Sequence, residues 1–100
     1  MSANYIKQAE AASHIREFLV QRGADIASRN IISDNNQRWV IFEHNHRQVG
    51  IDSDSAIWVR ASVRDEWRCL ARPSSVSSAL QAVEFLIKTT QQEGNYEKRI

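Results

Sequence analysis

An α+β fold, with an N-terminal and a C-terminal helix on one face of a five-stranded antiparallel meander, is predicted by three observations. Apolar residues recur at helical spacing near both ends of the chain. The middle alternates instead, in short segments rich in Ile, Val and Trp. Clusters of turn-forming residues separate those segments.

The first helix is expected over residues 4–22, where Tyr5, Ala9, Ala12, Ile15, Phe18 and Leu19 fall on one helical face. Gly23 should end it, because glycine reaches the left-handed conformation of a helix C-terminus without a side-chain penalty. Arg22 then lies near the negative end of the helix dipole. Strands are expected near 28–33, 37–44, 47–52, 56–62 and 66–71. The breaks are Asp34-Asn35-Asn36, Asn45-His46, Ser53-Asp54-Ser55 and Arg64-Asp65, and links this short join neighbouring antiparallel strands. The second helix should begin after Pro73 with Ser74 or Ser75 as its cap. Val76, Ala79, Leu80, Val83, Leu86, Ile87 and Thr90 form its stripe, Phe85 lies off it, and Gly94 is its stop. The polar tail 95–100 is expected to fray.

Loop length sets the register, and the register sets the faces. A two-residue loop at Asn45-His46 pairs His44 with Arg47, Phe42 with Val49 and Val40 with Ile51. A loop at Ser53 to Ser55 pairs Ile51 with Ile57 and Val49 with Val59. For the last hairpin, a loop from Ser62 to Glu66 keeps apolar residues together, pairing Ala61 with Trp67, Val59 with Cys69 and Ile57 with Ala71. One face then collects Val40, Phe42, Val49, Ile51, Ile57, Val59, Ala61, Trp67, Cys69 and Ala71, and both helices can bury their stripes on it. In the first strand, either Ile31 or Ile32 could point outward.

The opposite face should be polar if it met only water. It receives Glu43, Gln48, Asp52, Arg60, Arg68 and Arg72, but also Trp39, Ile41, Trp58 and Leu70 as an apolar band. Trp58 stands opposite Gly50, where a large ring can lie over bare backbone. Strands about 4.8 Å apart and about six residues long make this face roughly 480 Å² in projection, below the ~800 Å² per partner of a standard interface. Self-association through it would therefore recruit helix ends or tails, or be modest.

At 100 residues, 42% apolar and 25% charged, the chain is sized and composed as one folded domain, 1–100. A formal charge of +1 supplies no long-range attraction to nucleic acid or anionic lipid. No apolar run approaches the roughly 18 residues of a membrane span, and the single cysteine cannot form an internal disulfide, so a cytoplasmic location is expected. Phosphate-cradling, dinucleotide and nucleophile-elbow motifs are missing, so neither an enzyme nor a cofactor is expected. His44 and His46 alternate beside a hairpin, as metal ligands can, but lack a third ligand and read as turn residues. Asp52-Ser53-Asp54-Ser55 lacks the glycine and glutamate of a calcium loop and reads as a turn. Cys69 is expected to be a buried, inert packing residue.

Arginine outnumbers lysine 10 to 3, and Arg60, Arg64, Arg68 and Arg72 recur along the last hairpin. Arginine heads stack on aromatics and pair with carboxylate or phosphate, so with Trp39 and Trp58 they compose a possible single-strand nucleic-acid platform. Interleaved acids favour ion pairs within the sheet as the plainer reading. The chain is therefore expected to bind rather than catalyse, forming a homodimer or taking another protein through Trp39, Ile41, Trp58, Arg60, Arg68, Leu70 and Arg72. The alternative is a single-stranded nucleic-acid module using the same face.

Overall fold

Positive backbone φ at both Asn45 (50°) and His46 (71°) makes a two-residue turn whose twist matches that of the strands it joins. It brings strand β2 (Arg38–His44) against β3 (Arg47–Ile51) in the expected register. The computed structural model describes residues 5–87, and its elements run α1 (Gln8–Gln21), β1 (Ser28–Ile32), β2, β3, β4 (Ile57–Arg60), β5 (Arg68–Ala71) and α2 (Val76–Ile87). The strands form one antiparallel sheet in the order β1-β2-β3-β4-β5, the meander read from the sequence.

Both helices pack on the sheet, α1 on β3 and α2 across β2 to β5. The core between them holds Val40, Phe42, Val49, Ile51, Ile57 and Val59 from the sheet. Against these pack Ala11, Ala12, Ile15 and Leu19 of α1, and Ala79, Ala82, Val83 and Leu86 of α2. α1 closes as expected at Gly23 (φ 74°), whose N–H donates to the Val20 carbonyl while the Ala24 N–H donates to that of Leu19. Its start differs, and its buried stripe includes Ala11 rather than the exposed Ala9. Tyr5 and Ile6 are not helical: Tyr5 bridges Ser75, and the Ile6 N–H donates to the Ser74 carbonyl at 2.8 Å. That long-range pairing outcompetes the local helical spacing. Asn4, Thr90, Gly94 and the tail lie outside the described residues.

Ser75 caps α2. Its Oγ accepts from the Ser78 N–H at 3.1 Å, and the Ser78 Oγ accepts from the Ser75 N–H at 2.7 Å. Of the expected stripe, Val76 is exposed and Leu80 and Ile87 are half-buried. Phe85, off the stripe, packs partly on the core under Arg47, whose guanidinium carbon is 5.0 Å from the ring centroid.

The last hairpin departs from expectation. Ile57 still opposes Ala71, but Trp58 opposes Cys69 and Val59 opposes Arg68, because β5 carries a bulge. Leu70 is the extra residue and packs against the helix-side core. The bulge reverses the faces of the residues before it. Trp67 and Cys69, expected in the core, lie on the open side, with Cys69 exposed. Arg68 and Leu70, expected on the open face, belong to the helix side. Ala61 lies beyond the end of β4 and is exposed.

Candidate functional site on the open sheet face

Side chains on the open face fall into two systems. A polar row crosses the sheet where Glu43 opposes Gln48 and Gln48 opposes Arg60. The buried Gln48 amide donates to Glu43 Oε1 at 2.9 Å and accepts from Arg60 Nε at 2.7 Å, so both ends of the amide are used. Arg29 extends the row from β1, with its Nη1 3.5 Å from Glu43 Oε1. The Gln48 hydrogen bond holds the Glu43 carboxyl below its ordinary pKa against the opposing effect of burial, and Arg29 and the charge of His46 lower it further.

The second system is aromatic. The Trp39 ring centroid lies 6.2 Å from that of Trp58 and 5.4 Å from that of Trp67. Trp67, assigned to the core by spacing, thus completes a cluster that the sequence supplied only in part. Trp39, not Trp58, covers Gly50. The three indoles are half-buried rather than fully open, and Ile41 is buried on the same face.

Guanidinium groups lie over two of the indoles. The Arg60 guanidinium carbon is 4.2 Å from the Trp67 ring centroid, and that of Arg72 is 5.1 Å from Trp58. Ion pairing within the sheet, the plainer sequence reading, fails for these residues. Among the described residues, none of Arg60, Arg64, Arg68 and Arg72 forms an ion pair, and the sheet pair present is Arg29 with Glu43. The nearby Asp52 is occupied otherwise. Its Oδ1 accepts from the N–H groups of Asp54 and Ala56, both at 2.9 Å, and its Oδ2 accepts from Trp58 Nε1 at 3.0 Å.

Beside this cluster is a concavity of about 250 Å³, walled by Trp39, Trp67, Ile31 and Ile41 and edged by Arg29 and Arg60. Trp39 Nε1 is buried and has no hydrogen-bond partner among the described residues. Of the sequence-selected residues, the structure brings Trp39, Ile41, Trp58, Arg60 and Arg72 together and sets Arg68 and Leu70 apart. It adds Trp67, Gln48 and Arg29. His46 is exposed in its turn and His44 half-buried, and no three His, Cys, Asp or Glu side chains among the described residues are grouped to hold a metal. No helix among them is long and apolar enough to cross a membrane. No known family, curated protein or solved structure matches the chain.

Proposed function

We propose that the chain is a small non-enzymatic binding domain whose open sheet face docks an acidic segment of a protein partner. The observation that carries this reading is the stacking of Arg60 and Arg72 on Trp67 and Trp58 with no carboxylate among the described residues paired to either. Stacking holds each guanidinium at a fixed place on an apolar floor, so less side-chain entropy is lost when a carboxylate arrives. The concavity would take an apolar side chain beside that carboxylate, against the Trp39 ring.

Two alternatives fit this face less well. In a dimer built through the open face, Arg60 and Arg72 would need carboxylates from the other copy, and the nearby Glu43 and Asp52 are already engaged by Arg29 and Gln48 and by Trp58 and the turn amides. A single-stranded nucleic acid needs open ring faces for its bases, whereas arginines cover Trp58 and Trp67, and the formal charge is only +1.

Calorimetric titration with a glutamate- and leucine-rich peptide, and separately with oligo(dT), tests the proposal. Saturable, salt-sensitive peptide binding that the Arg60→Ala/Arg72→Ala variant loses is the expected result. Oligo(dT) binding that depends on Trp58 would install the nucleic-acid reading instead. Heats that are absent for both ligands would remove this face as an anion-docking surface.

A further inference from the structure

The Ser33 N–H donates to the Gln37 carbonyl at 2.8 Å, which makes these two a hydrogen-bonded pair at the end of the first hairpin. Bonded and non-bonded pairs alternate along an antiparallel ladder. With Ile32 opposite Arg38, Ile31 opposite Trp39 and Asn30 opposite Val40, Arg29 and Ile31 turn their main-chain groups toward β2. Ser28, Asn30 and Ile32 turn theirs outward, along an edge that no described strand covers.

The two edges of the sheet are not alike. Natural edges are blunted by brevity, bulges, proline or lysine. β5 is four residues long, begins at Arg68, is bulged at Leu70 and runs through Arg72 into Pro73. β1 is five residues in unbroken register without Pro or Lys, and it leaves Ile31 39% and Ile32 65% exposed. Its one charge, Arg29, is on the open face and held by Glu43.

We propose that β1 is the seam of a twofold homodimer, pairing antiparallel with β1 of a second copy about Asn30 and joining two five-stranded sheets into one. The occupant is a second copy because this edge is its own complement. With Asn30 opposite Asn30 of the partner subunit, Ser28 falls opposite Ile32 of the partner subunit, and every outward N–H meets an outward carbonyl. On the open face, the aliphatic stem of Arg29 covers Ile31 of the partner subunit. On the helix side, Ile32 comes beside Ser28 of the partner subunit, where Arg16 Nη2 already donates to the serine Oγ at 3.1 Å. This isologous contact closes, whereas β1 pairing with β5 would propagate a filament. The seam does not rest on the acidic-partner reading and leaves Arg60 and Arg72 uncovered, although it shares Arg29 and Ile31 with one wall of the concavity.

Five residues span only about 17 Å, and the contact is well below the ~800 Å² per partner of a standard interface. The dimer is correspondingly weak, with a Kd between about 10 μM and 1 mM. Sedimentation equilibrium across that range tests it. The wild type should pass from monomer to dimer. Asn30→Pro removes an outward N–H that β2 does not use, so it should give a folded monomer with an unchanged far-UV circular dichroism spectrum. Ile32→Glu, brought near Arg16 of the partner subunit, should tighten the dimer about two- to fivefold, and Ile32→Lys should loosen it by a similar factor. In a Cys69→Ser background, Asn30→Cys should cross-link under mild oxidation, its paired Cα atoms being about 5.5 Å apart, while Arg29→Cys should not. A wild type that stays monomeric at the highest concentration overturns the proposal. So does a dimer indifferent to both charges at Ile32, a result that remains readable if Asn30→Pro fails to fold.

Discussion

The indole of Trp39 lies against the bare backbone of Gly50, so closely that a Cβ there would sit 2.7 Å from Trp39 Cε3, 2.9 Å from Cζ3 and 3.0 Å from Ile41 Cδ1. Glycine is what lets the tryptophan lie flat across the neighbouring strand. Trp58 and Trp67 flank the ring.

Gly50→Ala should therefore destabilise the fold by about 1–3 kcal/mol, the range for overpacking a filled site, although alanine is ordinarily tolerated in a strand. Urea denaturation followed by far-UV circular dichroism measures the loss. A change within experimental error would mean that the indole has room to move.

Asp52→Asn keeps the shape of the side chain but not its chemistry. An amide oxygen can still accept from Asp54 and Ala56, while the amide NH2 would face the Trp58 indole N–H, donor against donor. A loss of about 1–3 kcal/mol is expected. Asp52→Asn combined with Trp58→Phe should lose less than the two single changes added together, which a double-mutant cycle by denaturation would show.

His46 holds φ at 71° in the second position of a two-residue turn, where glycine has no side-chain penalty. His46→Gly should stabilise the domain by about 0.5–1 kcal/mol. The check is an upward shift of the denaturation midpoint with an unchanged slope.

Glu43 gives a pH prediction. Its folded pKa is lowered from 4.5, so the carboxylate contributes stability above that value and loses it as pH falls through the folded pKa. The side chain is 39% exposed, so solvent screens the contribution and it is small. Glu43→Gln should flatten part of the acid limb in a melting-temperature profile between about pH 3 and pH 7, with the two proteins converging at the acid end. Parallel profiles would show that the interaction does not survive in solution.

The meander and two of its registers, β2 with β3 and β3 with β4, were legible because each depends on a short link with strong turn chemistry, whereas the first hairpin left open which of Ile31 and Ile32 shares a face with Trp39. The last hairpin was not, for a reason visible in Trp67-Arg68-Cys69-Leu70-Ala71. Apolar residues occupy both parities of that run, so alternation alone cannot say which set faces the helices. The bulge resolves the conflict by turning both Leu70 and Ala71 toward the side of Ile57, and it releases Trp67 to Trp39. Tyr5 misled for the opposite reason: its spacing is helical, but it bridges Ser75 and the N–H of the next residue, Ile6, donates to the Ser74 carbonyl, far along the chain. At the site, the tryptophans and arginines could be selected by type, whereas stacking in place of ion pairing depends on distances that the sequence does not contain.

The chain contains three tryptophans, and the cluster gathers all of them on the side of the sheet away from the helices. Their emission therefore reports on one face of the molecule, while Phe42 and the aliphatic core beneath the helices are silent at that wavelength. Rings this close also share their excited states, which adds an exciton couplet to the circular dichroism that depends on the mutual tilt of the indoles. Loss of that couplet on heating would mark the melting of the aromatic layer, separately from the peptide signal of the helices. A ligand that settles among the indoles would alter the couplet without changing the helical signal, so the protein carries its own optical probe of the open face.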